Sequence, residues 1–487
     1  MTSKKASTLA LVGAKWLTLG TVLQKVFQIL TLVVLARLLS PEDLGLIAAA
    51  TMAISVLITL KDFGMPLALV KRQEEVQEGS NILWALSLST SLLFYGGLFA
   101  AAPFLGRFFR HDLVGPVFRL LSIQLFTDAA CTVQKTLAMK ELKARLLMAL
   151  ILCETVACSV VSVFLAFKGF GVWSMIYGSL AGWILTAVLW WIAHPWRPTF
   201  RFDLRVAREM AGFGVKTAAS SVMANALDAL LPFAVGRWQG IARLGVYDLT
   251  QRIVFFPVRQ IVLTVGQKLT VPAFCMVQED LKVVQSWYLG LLRFIGFLMA
   301  PMAVCLLVLP DLCVLSVFGP KWQTAIPLVR ILSLCVLAVP VGYANPIYIS
   351  AGRVDLLVKL ALAKLVVIGS LVIAAAHVSV TAVCSVQTIT ACFFAGVNLS
   401  LVSRVIKVPL SSLLKHFLIP LEGNLVLAVL LLAARYALSL LSLEPNLLTL
   451  LFSVLPGGLL YLAFLRWRRP EMMSELTSAL RQALGLS

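Results

Sequence analysis

Long apolar runs separated by short polar connections dominate this sequence. Residues 79–106, 169–196 and 365–403 contain no Asp, Glu, Lys or Arg. A helix needs about 20 apolar residues to cross a hydrocarbon layer of about 30 Å, so each run can hold at least one span. The runs are continuous and lack the period-two alternation of a membrane barrel, which predicts helices.

The hydropathy pattern predicts about 14 transmembrane helices and therefore an all-α polytopic membrane protein. In chain order these helices are predicted over residues 16–37, 43–64, 81–105, 114–137, 145–167, 171–194, 213–235, 244–272, 285–309, 324–350, 355–376, 379–402, 416–440 and 446–465. Gly178 and Gly182 form a GxxxG pattern, which favours close contact between helices.

Two motifs recur in the two halves of the chain, which indicates a duplication. The segments VLARLLSPEDLGLI and AVGRWQGIARLGVY share Arg, Leu and Gly at an offset of 200 residues. The matching positions are Arg37 and Arg237, Leu44 and Leu244, and Gly45 and Gly245. A second repeated motif comprises PVFRLLS, which begins at Pro116, and PLVRILS, which begins at Pro327.

Six predicted helices in each repeat make the repeats parallel, because the second repeat enters the membrane from the same side as the first. The predicted domains are 1–200 and 201–407 for two six-helix bundles, 408–470 for two additional helices, and 471–487 for a cytoplasmic tail. Duplicated halves of this kind are characteristic of alternating-access transporters. We expect a cavity near the membrane midplane between the two bundles.

Composition and charge fit this picture. The chain is 60% hydrophobic and 13% charged, with a formal net charge of +19. Basic residues are concentrated in alternate connections, so the positive-inside rule predicts that both termini are cytoplasmic. The net charge then reflects topology and anionic lipid, and we predict no nucleic-acid partner.

Motifs for catalysis and cofactor binding are missing from the sequence. It contains no GxxxxGK[ST], HExxH or GxSxG pattern, so we predict neither an enzyme nor a bound cofactor. Nine cysteines form no CxxC pair and the four histidines show no ligand spacing, so we predict no metal site.

Ionisable and polar residues inside the predicted spans are the candidate functional residues, because such groups are costly in lipid. Lys25 lies mid-helix between Gln24 and Gln28, and its counterparts at the repeat offset are Asn225 and Asp228. We predict that these residues line the central cavity. The alternatives for Lys25 are an intrahelical ion pair or a side chain that extends to the helix end.

The eighth predicted helix carries Asp248, Arg252 and Arg259 at intervals of four and seven residues, which places all three on one face. One interpretation is an Asp248–Arg252 pair that stabilises the helix. The other is a basic stripe that binds a substrate phosphate, because guanidinium groups suit bidentate contact. Arg293 is a further candidate for the same cationic cavity.

Three carboxylates in the spans could couple transport to an ion gradient: Asp128, Glu154 and Asp228. A carboxyl in an apolar wall can exchange protons in the physiological range. A neutral buried acid or a local hydrogen bond is an equally good interpretation of each.

Four segments resemble a known family. LARLLSPEDLG at 35–45, DFGMPLALVKR at 62–72, GFGVWSMIYGSL at 169–180 and GRWQGIARLGVYDLTQRIVFFP at 236–257 resemble the polysaccharide transporter family of the multidrug/oligosaccharidyl-lipid/polysaccharide exporter (MOP) superfamily. The resemblance covers roughly residues 10–400 and points to the Wzx-type flippases that include colanic-acid and teichuronic-acid exporters.

The resemblance implies a V-shaped, two-bundle flippase with a cationic central cavity in the bacterial inner membrane. Its substrate would be an undecaprenyl-diphosphate-linked oligosaccharide, and its partners membrane lipids and polysaccharide polymerase machinery. One alternative is a cation/drug antiporter of the same fold, which would favour acidic cavity residues. Another is a membrane glycosyltransferase or polymerase, which typically needs a sizeable soluble domain.

Overall fold

A computed structural model of the chain describes residues 3–199, 203–261, 270–277, 279–440 and 446–468. Within these ranges the secondary structure is helical, without strands. Eleven helical segments of the described chain are long and apolar enough to cross a membrane. The predicted all-α membrane fold is therefore confirmed, whereas the count of 14 spans stays a prediction.

The chain divides into two compact units, one ending at Gly245 and the other beginning at Val246. The described helices of the N-terminal unit are α1 (Ser3–Leu38), α2 (Pro41–Lys61), α3 (Met65–Lys71), α4 (Val76–Phe109), α5 (Val114–Leu121), α6 (Gln124–Lys140), α7 (Ala144–Phe167), α8 (Val172–Ala193) and α9 (Leu204–Gln239). Helix α10 (Ile241–Ile261) begins in this unit. Helix α9 belongs to it because α9 packs on α2, α3 and α4. The domain limits predicted at residues 200, 407 and 470 stay predictions.

The C-terminal unit continues with helices of the same kind. They are α11 (Val271–Met276), α12 (Leu281–Val308), α13 (Pro310–Phe318), a 3-10 helix (Pro320–Ala325), α14 (Ile326–Gly342), α15 (Asn345–Ser350), α16 (Val354–Ala376), α17 (Val380–Ile406), α18 (Leu410–Leu440) and α19 (Leu447–Arg468). Helix α12 packs on α14 and α18, and α17 packs on α14 and α16. Together these contacts form the body of the unit.

The repeat offset seen in the sequence is also present in the helix boundaries. Helices α1 and α9 are both 36 residues long. The helices that follow them begin at Pro41 and Ile241, which are 200 residues apart. This correspondence supports the duplication that the Arg, Leu and Gly positions indicated.

The start of α2 shows why the SPED sequence begins a helix. Ser40 accepts a hydrogen bond from the Asp43 amide at 3.1 Å, and the Asp43 carboxylate accepts one from the Ser40 amide at 2.9 Å. This reciprocal capping box satisfies amides that the first turn leaves unpaired. Pro41 occupies the first turn, where its missing N–H costs nothing.

Two predicted helices are broken in the structure, and a third ends three residues early. The helix predicted over 43–64 ends at Lys61, and α3 follows after a turn in which Phe63 and Gly64 have φ of 43° and 68°. These left-handed backbone angles interrupt the α-helical hydrogen bonds. The helix predicted over 114–137 comprises α5 and α6, and the one predicted over 324–350 comprises the 3-10 helix, α14 and α15.

The GxxxG pattern does mark a close helix contact, as predicted. A Cβ on Gly178 would overlap the Ser162 hydroxyl, and a Cβ on Gly182 would lie 3.0 Å from the Glu154 carbonyl oxygen. Both partners are in α7, so the two glycines let α7 and α8 approach at backbone distance.

The first turns of α9 are held against the α3–α4 connection by apolar and ionic contacts. Val206 and Met210 of α9 belong to a buried cluster that includes Leu69 and Leu83. Around it lies an ionic clasp formed by four side chains, namely Arg72, Glu75, Arg205 and Glu209. Arg72 Nη1 lies 3.0 Å from Glu209 Oε2, and Arg205 Nη2 lies 2.6 Å from Glu75 Oε1.

Candidate functional site

Four charged side chains form a network inside the N-terminal unit, which we call the charge network. Its members are Lys61 at the end of α2, Asp62 in the break after α2, and Asp128 and Lys135 on α6. Lys61 Nζ lies 2.6 Å from Asp62 Oδ1 and 3.0 Å from Asp128 Oδ2. The other oxygen of Asp128 accepts a hydrogen bond from Lys135 Nζ at 2.8 Å. The chain of contacts thus alternates in sign and has no net formal charge.

Burial falls along this network from Lys61 to Lys135. The Lys61 side chain has no exposed surface, whereas Asp128 and Lys135 are 26% and 33% exposed. A buried ammonium group is costly unless it is paired and hydrogen-bonded, and Lys61 meets that requirement with two carboxylates. Lys135 is the end of the network that a ligand or water can reach.

Helix α4 supplies hydroxyl groups that support both the charges and the helix break. Ser87 donates a hydrogen bond to Asp62 Oδ1. Thr90 Oγ1 lies 2.7 Å from the Lys61 carbonyl oxygen and 2.7 Å from the Leu86 carbonyl oxygen of its own helix, so its one proton is shared between them. Because α2 ends at Lys61, the Lys61 carbonyl has lost its usual helical partner, and the Thr90 hydroxyl is the group that reaches it. A broken helix whose polar ends face the interior is a recurrent feature of transporter binding sites.

The structure brings Asp128 and Glu154, two of the predicted ion-coupling residues, into one region. Glu154 of α7 is half-buried and lies within electrostatic range of Asp128 and Lys135. Asp128 itself lies between two ammonium groups, so it is paired with lysines that the sequence analysis did not assign to it. Ion coupling through either residue stays a prediction.

Sequence reasoning missed three members of the network, for identifiable reasons. Lys61 and Asp62 lie at the predicted helix end, where charged residues are usually solvated. Lys135 lies near the end of the helix predicted over 114–137, where a basic side chain is usually solvated as well. The available signal was the spacing of Asp128 and Lys135, since seven residues make about two helical turns and place both on one face.

Lys25 and its neighbours lie on the half-buried face of α1. Thr21, Gln24, Lys25 and Gln28 follow helical spacing and are each half-buried, whereas Val22, Val26 and Ile29 are exposed. Lys25 Nζ donates a hydrogen bond to Gln28 Oε1 at 3.0 Å. Lys25 therefore does not point outward with the apolar side chains, and its contact with a substrate stays a prediction.

Helix α10 presents a charged pair in the C-terminal unit. Arg252 Nε donates to Asp248 Oδ2 at 2.7 Å, which is the helix-stabilising contact that the spacing predicts. The Arg252 side chain is nevertheless 43% exposed. Among the described residues, no acceptor is bonded to its Nη1 and Nη2 atoms, so that edge is available to an anion.

Next to this pair in sequence lie two members of a cluster of neutral polar side chains, which we call the amide cluster. It consists of Tyr247, Gln251 and Gln387, the last of which is on α17. Tyr247 OH lies 3.1 Å from Gln387 Oε1. Gln251 Nε2 lies 2.5 Å from Tyr247 OH and 2.9 Å from Gln387 Oε1. These residues were not predicted, because neutral polar groups stand out little in a hydropathy pattern.

The remaining predicted residues are more scattered. Arg293 on α12 is half-buried, and in the described part of the chain its Nε has no hydrogen-bond partner. Asp228 is exposed on α9. The side chains of Asn225 and Arg259 lie outside the described residues. These four assignments stay predictions.

Comparisons with known proteins agree with this architecture. The chain is 23% identical over 474 residues to the teichuronic acid biosynthesis protein TuaB of Bacillus subtilis (strain 168), covering 95% of this chain and 96% of that protein. The solved structure of the lipid II flippase MurJ in an inward closed conformation matches with a TM-score of 0.69 at 14% identity, over 94% of this chain and 99% of that one.

An inward-facing multidrug resistance transporter of the MATE family, in the MOP superfamily, matches with a TM-score of 0.67 at 16% identity, over 80% of this chain and 96% of that one. At such identities the structural matches establish the fold alone. The family profile described as "Polysaccharide biosynthesis protein" matches residues 34–327, which is more than half of the sequence. The chain therefore belongs to this polysaccharide biosynthesis protein family and has the fold of the MOP superfamily transporters.

Proposed function

We propose that this protein is a flippase that carries undecaprenyl-diphosphate-linked oligosaccharides from the cytoplasmic to the outer leaflet of a bacterial inner membrane. The observation that carries the proposal is a match over nearly the whole length of a polysaccharide biosynthesis protein, in a chain with a transporter fold. The solved structure of a lipid II flippase adds support at the level of the fold. The protein acts by transport and catalyses no sugar transfer.

The substrate headgroup combines a diphosphate with sugars, and basic side chains at membrane depth suit the diphosphate. Arg252 offers the open edge of its guanidinium, and Arg293 is half-buried with an unpaired Nε among the described residues. Lys25 adds an ammonium on a half-buried face. These groups stabilise the phosphate charge while the prenyl chain stays in lipid.

Alternating access moves the headgroup if each state exposes these basic groups to one side of the membrane. Net export needs coupling or consumption of the product by a polymerase, which would be a functional partner on the outer side. The carboxylates Asp128 and Glu154 are the proposed coupling groups. We propose that both termini are cytoplasmic, as the positive-inside rule predicts from the charge pattern of the connections.

A drug antiporter of the same fold is the alternative function. The MATE match supports it only at the level of fold. The family assignment and the paired state of Asp128 favour the anionic lipid substrate, because an organic cation requires an unpaired carboxylate. A drug-susceptibility panel on a deletion strain separates the two functions, since an antiporter mutant becomes sensitive to cationic drugs.

The test uses a polysaccharide-producing strain in which this gene is deleted and then complemented. Arg252→Ala should abolish surface polymer and cause lipid-linked oligosaccharide to accumulate, at unchanged protein level in the membrane. Arg243→Ala is the matched control, because Arg243 lies on the same helix, is exposed, and within the described part of the chain bonds the nearby Gln239 side chain alone. Normal polymer from both Arg252→Ala and Lys25→Ala at equal expression would contradict the cationic mechanism.

A further inference from the structure

Some hydrogen-bonding atoms of the amide cluster bond each other, and others have no partner among the described residues. Gln387 Oε1 accepts from both Tyr247 and Gln251, so its two lone pairs are occupied. Gln251 Nε2 donates to Tyr247 and to Gln387, so both its protons are occupied. The Gln387 amino group and the Gln251 carbonyl oxygen have no other partner among the described residues. One double donor and one acceptor therefore remain open.

These open groups are fixed in position. Tyr247 is 1% exposed and anchors both glutamines, which are themselves half-buried. A side chain held by two hydrogen bonds loses little rotamer freedom when it binds a ligand, which lowers the entropic cost of recognition. The cluster thus presents a preorganised donor and acceptor.

The position of the cluster relates it to the charged pair on the same helix. Tyr247 and Gln251 precede Asp248 and Arg252 by one residue each, so the neutral and charged pairs lie on the same two turns of α10, about 100° apart around the helix. A ligand whose phosphate contacts the Arg252 edge would place its next chemical group near the amide cluster.

We propose that the amide cluster is a glycan subsite that binds the hydroxyl or acetamido substituents of the phosphate-proximal sugar. This inference rests on the proposed function and adds a determinant of specificity to it. Sugar hydroxyls both donate and accept, and an acetamido group offers one of each, which complements the open amino and carbonyl groups. Arg252 provides affinity for any diphosphate, and the cluster distinguishes which sugar follows.

The cluster also connects α10 to α17, so a test must separate ligand binding from helix packing. Gln387→Glu does this, because a carboxyl oxygen still accepts the bonds from Tyr247 and Gln251 while the open amino donor is lost. Gln387→Leu removes both the internal bonds and the donor. Gln285→Leu is the matched control, since it removes an amide that donates to the Ile406 carbonyl at 2.8 Å elsewhere in the same unit.

The experiment measures binding to purified full-length protein in nanodiscs with two probes. One is synthetic undecaprenyl diphosphate, and the other is the lipid-linked oligosaccharide that accumulates in a producing strain lacking this gene. Gln387→Glu and Gln387→Leu should each weaken binding of the glycan-bearing lipid by about tenfold, the effect of one or two hydrogen bonds. Both variants should bind undecaprenyl diphosphate as the wild type does, and Gln285→Leu should bind both probes normally.

Three results would overturn the inference. Unchanged affinity of Gln387→Glu for the glycan-bearing lipid would reduce the cluster to a helix contact. An equal loss for both probes would show a general defect in the protein. Binding of neither probe by the wild type would also contradict the proposed function, which distinguishes that failure from a failure of the glycan subsite alone.

Discussion

Gly45 and Gly245 pack against each other's helices reciprocally in the N-terminal unit. A Cβ on Gly45 would overlap the carbonyl oxygen of Ile241, and a Cβ on Gly245 would overlap that of Pro41. The same Cβ atoms would lie 3.0 Å from the Gly245 amide nitrogen and 2.8 Å from the Gly45 amide nitrogen. Each glycine thus contacts the residue four positions before the other, so the contact has local two-fold symmetry.

Alanine at either glycine should destabilise the protein, because the obstacle is a backbone oxygen that cannot rotate away. We expect Gly45→Ala and Gly245→Ala each to lower the free energy of unfolding by about 1–3 kcal/mol, the usual cost of overpacking. The melting temperature of the detergent-solubilised protein, measured by fluorescence-detected size-exclusion chromatography, provides the check.

The controls for this prediction are Gly97→Ala in α4 and Gly290→Ala in α12, where an added Cβ would have no atom of another described helix or side chain within 4 Å. Alanine favours a helix by up to about 1 kcal/mol over glycine, so these variants should melt at the same temperature as the wild type or higher. Equal melting temperatures for the Gly45 and Gly97 variants would show that the close contact does not limit stability.

Lys61 should matter more for stability than Lys135, although both contact Asp128. Lys61→Met removes a fully buried ammonium that is shared by two carboxylates, and loss of one partner from such a buried pair costs about 3–5 kcal/mol. Lys135→Met leaves Asp128 paired with Lys61 and removes a side chain that is one-third exposed, so its cost should be smaller. Thermal melting of the two variants tests this order, and an equal loss would show that burial does not set the energetics of the network.

The ionic clasp at the start of α9 should depend mainly on Arg72. Arg72 is 15% exposed and bonds Glu209, Glu75 and the Glu74 carbonyl, whereas Arg205 is 66% exposed. We expect Arg72→Ala to destabilise the protein by about 1–2 kcal/mol, and Arg205→Ala by less than about 1 kcal/mol. The effect of Arg205→Ala should shrink further in high salt, because exposed ion pairs are screened. A larger loss for Arg205→Ala than for Arg72→Ala, in melts at two ionic strengths, would contradict this assignment.

Glu141, in the connection after α6, predicts a pH-dependent contribution. Partial burial raises the pKa of its carboxyl, but a hydrogen bond from Lys143 together with the charges of Lys143 and His194 outweighs burial and holds the pKa below the ordinary value of 4.5. Because the folded pKa is the lower one, the stabilisation is complete above the unfolded pKa and is lost as pH falls through the folded value. The melting temperatures of wild type and Glu141→Gln should therefore differ near neutral pH and converge in acid. A difference that stays constant with pH would rule out this linkage.

Much of the fold follows from the sequence because, in lipid, every span must satisfy its own backbone hydrogen bonds, which favours helices. The apolar runs predicted the helices, and the Arg, Leu and Gly matches at an offset of 200 predicted the paired starts of α2 and α10. The short helix α3 after the turn at Phe63 and Gly64 was not predicted, because hydropathy does not report backbone angles. A single glycine in an apolar run is compatible with both a continuous and a broken helix.

The candidate site was predictable only where local spacing determined it. Asp248 and Arg252 are four residues apart, and their contact was one of the two expected arrangements. The pairing of Lys61 with Asp128 joins residues far apart in the chain, and nothing in either local segment selects the other. Gln387 lies in the uncharged run over 365–403, where one neutral polar side chain barely changes the hydropathy of an apolar helix. Long-range pairing requires the packing of the helices, which composition does not specify.

At the interruption between α2 and α3, the residues that carry charge are also the residues at which the helix bends. The hydroxyl groups of Ser87 and Thr90 hold the Asp62 carboxylate and the Lys61 carbonyl within one small region of α4. Asp62 also bonds the Lys61 ammonium, so the same carboxylate neutralises an ion and receives a bond from α4 that fastens the bend. A substitution at this single carboxylate would therefore change the local field and remove a support of the angle between two segments of the bundle.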